Sequence, residues 1–535
     1  MLLKDALKKC NCEEEAFSFV NAAKFIRNDV FQMPGFSFSG EFTSECQLKS
    51  IPPSLMCLVS MLLNGPNIDS QDFQESQASL TISQLIIFNM KKIKKLAAKS
   101  DRHNQDREPP LPLYLGMSVH AQTRSKKLVN QLYELGLSVS YQRVDDIMNN
   151  LATSVCDHFK SVGVVCPLSL QSGLFTVGAI DNLDHDPSST TAQGSFDGSG
   201  ISLFQFPKQA SDVSQPAVQK VNLCSTRSAS RDITLPDKYS SVSPVSIKTS
   251  EVNAPATSQG GVETLSTDQL SIAIEKQVHW LKHCEHHLNE KLTKGVYLSW
   301  AAYHASVTEL PSPLPCLSSL LPLLYEKAAT VAMMKHGMFV IKEATEFLNP
   351  GQIAVNVCDQ PLFATAKVVQ WNWPATHGET IHVVMLGGLH IEMVLWTMCG
   401  DLLAGSGWTT ALTEAGIASS GTSDSFLKVA HLTKTRRAHQ ITIAALYKLQ
   451  HVAFEELNGQ QDEEEFLKWH NGMISTSPTY KFWDMIMQME LKVLAFVKAH
   501  RENNFALCTL KPWNLLLPGP LLLIILITRG GYLFT

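Results

Sequence analysis

The sequence predicts an α/β protein with large helical content, its mixed sheet core interrupted by a disordered segment and a helical insertion. Apolar runs of strand length end in acids, long stretches carry apolar residues at helical spacing, and a Ser/Thr/Pro-rich stretch divides the strands. Residues 174–180 (LFTVGAI) lead into Asp181, Asn182, Leu183 and Asp184. Residues 353–358 (IAVNVC) lead into Asp359, and residues 381–386 (IHVVML) lead into Gly387, Gly388, Leu389, His390, Ile391 and Glu392. Carboxylates at the ends of neighbouring strands can hold two divalent metals against a phosphodiester. Strands of any α/β protein also end in polar turn residues, so the pattern has two readings, ligands or turns.

The 535 residues suffice for roughly two to four domains. A hydrophobic content of 44% supports a sizeable core. The net charge of −5 restricts any nucleic-acid contact to a local patch. The 12 cysteines show no CxxC spacing, Cys10 and Cys12 are too close for a zinc knuckle, and no apolar leader opens the chain. Reduced thiols in an intracellular protein follow, nuclear rather than cytoplasmic if it binds DNA.

In chain order, residues 1–110 read as a helical N-terminal region. Apolar residues recur at helical spacing over 16–25, and 55–63 is a short apolar run. Lys91, Lys92, Lys94, Lys95 and Lys99 form either a solvated helix face or a nucleic-acid surface, and residues 101–112 read as a linker. Residues 111–165 resemble a helix-turn-helix. Arg124, Lys126 and Lys127 precede a helix over 128–135 that ends at Gly136. Ser140 caps a second over 141–153, with Val144, Ile147, Met148 and Leu151 on its apolar face. Gln142 and Arg143, near its start, are placed to reach a groove, although a plain αα-hairpin has the same pattern.

Residues 170–206 are the first core strands, a hairpin turning through the Gly/Ser-rich stretch from Gly194 to Gly200. Residues 207–266 are poor in aromatics and read as a disordered linker. Residues 267–350 form the helical insertion. Its first helix, 270–292, carries His279, His283, Cys284, His286 and His287 at i,i+4 spacings but no HExxH, which favours a polar helix face over zinc. The stretch 317–347 reads as helix broken near Pro322. Residues 351–505 are the second core segment: two strands, a helix through His390 and Trp396, then helices over 424–432, 438–457, 463–469 and 480–500. Lys434, Arg436 and Arg437 make a compact basic stretch that either opens a helix toward water or meets phosphate. Residues 506–535 are a divergent apolar tail. Within it, 512–528 has the minimum length for a membrane span but contains Pro518, Gly519 and Pro520.

Residues 111–141 (LPLYLGMSVHAQTRSKKLVNQLYELGLSVSY), 172–205 (SGLFTVGAIDNLDHDPSSTTAQGSFDGSGISLFQ), 383–393 (VVMLGGLHIEM) and 420–442 (SGTSDSFLKVAHLTKTRRAHQIT) carry a resemblance over about residues 1–505. The chain resembles a large group of uncharacterised, multi-copy animal proteins that looks transposon-derived and is similar to DDE-type transposases with an RNase H-like core. The resemblance implies Asp181 and Asp359 as catalytic acids, with His390 a nearby candidate. It implies Asp181, Asp184, Asp359 and Glu392 as ligands of Mg²⁺ or Mn²⁺. DNA would be the partner, through Arg124, Lys126, Lys127, Gln142, Arg143, Arg436 and Arg437, and the assembly a homo-oligomer. The pattern of the group fades near residues 504–507, before the helical segment where a further acid is expected. The implied protein is therefore a transposase relative whose polynucleotidyl-transferase core is degenerate or incomplete, and inactive as it stands. Alternatives are a non-catalytic DNA- or protein-binding remnant, and a protein tethered to a membrane through 512–528. A DEDD-type exonuclease would want Asp-x-Glu on its first strand, where this chain has Asp181, Asn182, Leu183 and Asp184.

Overall fold

The computed structural model describes residues 13–34, 42–65, 76–90, 108–185, 196–207, 234–247, 267–287, 298–308, 314–458, 462–502 and 504. The lysines at 91–99, Cys10, Cys12 and the apolar stretch 512–528 lie outside them. The chain forms two compact units, Met1–Leu168 with Gln215–Ser241, and Ser169–Ser214 with Val242–Thr535.

The first unit is helical: α1 (Glu13–Gln32), α2 (Ser44–Lys49), α3 (Pro53–Asn64), α4 (Gln77–Asn89), α5 (Pro110–Thr123), α6 (Lys126–Glu134), α7 (Tyr141–Val162) and the short α8 (Asp237–Ser240). Thr43, Ser76, Ser125 and Ser140 start α2, α4, α6 and α7 by accepting the backbone N–H three residues on, the usual N-cap bond. One buried cluster joins Val30, Leu55, Leu80 and Ile87; a second joins Phe88, Leu113, Val129, Val144 and Ile147. Three expectations change here. Helix α5 begins at Pro110, inside the expected linker, because a proline in the first turn gives up an N–H that has no intrahelical partner anyway. Helix α7 runs past Thr153 to Val162, since Cys156 and Phe159 continue its buried face, and it stops at Gly163 with φ 78°. Helix α8 lies within the stretch read as disordered, with Tyr239 buried.

The second unit holds the sheet: β1 (Thr176–His185), β2 (Phe196–Gln205), β3 (Leu317–Leu320), β4 (Ala354–Cys358) and β5 (His382–Leu386), in the order β3-β2-β1-β4-β5. β1–β2 and β2–β3 are antiparallel, whereas β1–β4 and β4–β5 are parallel. The fold is thus mixed α/β with a five-stranded mixed sheet. The expected hairpin forms, but Phe196–Gly200, expected in its Gly/Ser-rich turn, is part of β2, where Gly200 pairs with Asp181. Leu317–Leu320, expected as helix, is strand, because it pairs antiparallel with β2 from Leu317↔Gln205 to Leu320↔Ser202 at the edge of the sheet.

Helices of this unit are α9 (Thr267–His287), α10 (Trp300–Val307), α11 (Val331–Leu348), α12 (Gln360–Asn372), α13 (Pro374–His377), α14 (Gly388–Leu403), α15 (Trp408–Glu414), α16 (Ser420–Phe426), α17 (Leu432–Asn458), α18 (Glu463–Thr476) and α19 (Pro478–Arg501). Helix α16 ends at Phe426, so the expected helix over 424–432 is broken by Val429 at φ 54°. Helix α11 lies on β1 at close range. A Cβ at Gly178 would meet Ile341 at 2.5 Å, and one at Gly337 would meet Ile180 at 2.9 Å. Trp280, Trp396, Cys399, Ile443, Leu491 and Leu494 build the core shared by α9, α14, α17 and α19.

Candidate functional site

Two of the acids singled out above, Asp181 and Asp359, stand near the carboxyl edge of the parallel strands. β1 pairs with β4 in the register Val177↔Val355, Gly178↔Asn356, Ala179↔Val357. Carried two residues further, the same register sets Asp181 level with Asp359. Asp181 is exposed within β1, and Asp359 is half-buried just beyond β4. Each carboxylate is steadied through one oxygen: Asn182 N–H donates to Asp181 Oδ1 at 2.8 Å, and Leu362 N–H donates to Asp359 Oδ1 at 2.9 Å. The second bond is the N-cap of α12, which is why an acid follows β4. Both acids act on the Cys358 thiol. Burial first, then the charges of Asp359 and Asp181, push its pKa up to about 12.

The exit of β5 closes against this edge. Gly387 N–H donates to the Cys358 carbonyl at 2.9 Å. His390, in the first turn of α14, packs its ring beside Gly387, and the His500 ring near the end of α19 occupies the space that a side chain at Gly388 would need. His500 was not singled out in the sequence. It lies more than a hundred residues from either Asp181 or Asp359, and only the packing of α19 on α14 brings it to this edge.

The other expected residues have different surroundings. Glu392 is buried, and both its oxygens are engaged by Arg436: Nε–Oε1 is 2.7 Å and NH2–Oε2 is 2.8 Å, with Trp396 Nε1 donating to Oε1 at 2.9 Å. Ligation of a metal by Glu392 would require breaking this bidentate pair. The backbone of Asp184 belongs to β1, and its side chain lies outside the described residues. In the first unit Arg124, Lys126, Lys127 and Gln142 are exposed, Lys126 over the Tyr141 ring at 5.4 Å and Gln142 on Asp146 at 3.3 Å. Arg143 is buried in a forked ion pair with Glu108, its Nε and NH2 reaching Oε2 at 2.9 and 2.8 Å, so its guanidinium faces the interior. Arg437 is exposed.

Asp181 and Asp359 are the carboxylates near this edge that a cation could meet. Mg²⁺ is commonly held by one or two carboxylates, with water and substrate phosphate filling its other positions. Among the described residues, no group of three or more His, Cys, Asp or Glu side chains is arranged to hold a metal ion. No helix among the described residues is long and apolar enough to cross a membrane.

Residues 299–473 match the model of a domain of unknown function (DUF8702). The match runs from the cap of α10 into α18, so it includes β3, β4, β5 and Asp359 and leaves out β1 with Asp181. No curated protein and no solved structure matches the chain.

Proposed function

We propose that the second unit is an RNase H-like polynucleotidyl-transferase core of transposon descent, with an incomplete catalytic set. In this reading Asp181 and Asp359 bind one divalent cation. The observation that supports the reading is the β1–β4 register, Val177↔Val355 to Ala179↔Val357, which continued by two residues would bring these two acids level at one edge of a mixed sheet. A hairpin continued by two parallel strands fits such a core, and the strand-then-acid pattern acquires a common edge.

The chain's own residues do four things at this edge. The backbone N–H groups of Asn182 and Leu362 each hold one carboxylate oxygen, which leaves the other oxygen of each acid to face a cation. Burial keeps the Cys358 thiol neutral beside them. Gly387 and Gly388 let the β5 exit and His500 approach without side-chain bulk. Arg436 withholds Glu392 from the set. A bound Mg²⁺ or Mn²⁺ would supply Lewis-acid polarisation of a phosphodiester oxygen.

Mn²⁺ titration followed by electron paramagnetic resonance tests the reading. One Mn²⁺ per chain is expected, and both Asp181→Asn and Asp359→Asn should weaken its binding at least tenfold. Asparagine is also a good N-cap, so Asp359→Asn preserves the start of α12. Nicking of supercoiled DNA should be no faster for the parent chain than for Asp181→Asn. Unchanged Mn²⁺ affinity in both variants rejects the site.

A further inference from the structure

A cavity of about 850 Å³ opens between α9, α10, α17 and the end of α19. Its size lies within the range of small-molecule sites. Its walls carry four cationic side chains, Arg436, Arg437, Lys448 and Arg501, against one acid, Glu285. Two of the cations are already paired, Arg436 with Glu392 and Lys448 with Glu285 at 2.8 Å. Arg437 and Arg501 have no carboxylate within ion-pair distance among the described residues. Arg501 lies over the Trp300 ring, 5.1 Å from its centroid. Burial and then the neighbouring Arg436 charge lower the Arg501 pKa, against a smaller opposing effect of Glu392. Guanidinium groups crowded without a matching acid create a local potential that an anion relieves. Leu298, Ile441 and Leu449 give the same cavity an accessible apolar wall, while Trp280 and Trp300 lie buried behind it.

Cation and flat apolar surface together are how proteins hold unpaired nucleotides, the backbone on the charges and the base against the apolar face. We propose that this cavity binds a phosphodiester and base of single-stranded nucleic acid. The choice of nucleic acid over another phosphate ester rests on the reading of the sheet as a polynucleotide-processing core. The two places share structure. Arg501 follows His500, whose ring lies on Gly388 at the carboxyl edge, and Arg436 reaches the cavity from Glu392 in the early turns of α14. A strand end seated in the cavity would thus leave it beside the turn that follows β5. Duplex DNA is too wide for so small a concavity, which makes the selectivity testable.

The experiment is fluorescence anisotropy of a labelled oligothymidylate with the full chain at about 50 and about 200 mM salt. Expected are binding by the parent chain that weakens with salt, and at least tenfold weaker binding for Arg437→Glu and for Arg501→Glu. Arg437→Lys should stay within threefold of the parent. Arg437 is exposed, so the thermal midpoint of Arg437→Glu should match the parent and exclude misfolding. Equal binding by parent and both charge-reversal variants, or no binding by the parent at the lower salt, overturns the proposal. So does a blunt duplex of the same length that binds as tightly, or pyrophosphate that competes as well as the oligonucleotide at equal phosphate concentration. Mn²⁺ binding is measured on the same proteins. Mn²⁺ binding that depends on Asp181, with oligonucleotide binding indifferent to Arg437 and Arg501, removes the cavity and leaves the sheet reading standing. The reverse result keeps the cavity and removes the metal site.

Discussion

His439 lies between two indoles, its ring centroid 4.5 Å from that of Trp396 and 4.8 Å from that of Trp408. Its Nδ1 meets Glu490 Oε1 at 2.6 Å, and both side chains are fully buried. Burial raises the Glu490 carboxyl above its ordinary range, and His439 opposes that rise. Loss of the ring would remove two stacking contacts and leave a buried carboxyl without its partner. His439→Ala should therefore destabilise the second unit by about 3–5 kcal/mol. Glu490→Gln keeps an oxygen for the imidazole and should cost less than about 1.5 kcal/mol. Urea unfolding followed by tryptophan fluorescence checks both; equal losses would mean that the carboxylate charge, not the stacked ring, sustains this core. A second residue-level expectation concerns thiols. Cys358, with its pKa near 12, should resist iodoacetamide at neutral pH in the native protein, while exposed Cys57 reacts at an ordinary rate. Mass spectrometry of the labelled peptides reads the difference.

At the scale of elements, the seam between β5, α12 and α13 contains two stacked imidazoles, His377 and His382, 5.3 Å apart. Asn356 meets His382 Nδ1 at 3.1 Å, and Gln370 donates to the His382 carbonyl at 2.8 Å. Burial, then the charges of His377 and Lys342, lower the His382 pKa to about 4; burial also lowers that of His377. An unfolded histidine takes its proton near pH 6.5, so between that pH and about 4 the unfolded chain binds more protons than the folded one. The stability contributed by the neutral seam is present above pH 6.5 and is lost as the pH falls toward 4. The loss amounts to roughly 3 kcal/mol for His382. Urea midpoints measured from pH 7 to 4.5 should fall in the parent and fall less in His382→Gln; parallel curves would remove this seam as the cause. Elements of this kind differ in how far they can be read from the chain. β4 and β5 are legible because each is a short, valine-rich and mostly apolar run that ends at a turn signal, Asp359 or Gly387. β3 is not, since Leu317 and Leu320 flank two serines and the strand exists through its pairing with β2. The acid after β4 is visible in sequence, but Asp181, expected to follow the first strand, lies within β1, which continues to His185 through its pairing with β2, and the common level of the two acids depends on a pairing across 178 positions, from Val177 to Val355. Arg143 looked like a surface cation because its partner, Glu108, lies 35 residues upstream of it in the chain.

For the whole molecule, the distribution of tryptophan provides a natural probe. All nine tryptophans lie at position 280 or later, within the second unit, and the first unit contains none. Tryptophan fluorescence therefore reports the second unit alone, whereas helical circular dichroism reports both. Each unit has its own buried clusters, the condition under which units unfold as separate cooperative blocks. Two substitutions address them one at a time. Arg143→Ala removes the forked ion pair that the buried Glu108 carboxylate makes with the guanidinium and should cost the first unit about 3–5 kcal/mol. Gly400→Ala drives a methyl group into the backbone at Leu427, which cannot swing aside as a side chain could, and should cost the second unit about 2–4 kcal/mol. The first variant should lower the dichroism midpoint in part of the amplitude and leave the fluorescence transition in place. The second should move the fluorescence transition together with the remaining dichroism amplitude. Coincident shifts of both probes in both variants would instead mean that the 535 residues melt as one cooperative block, with a stability that neither unit owns alone.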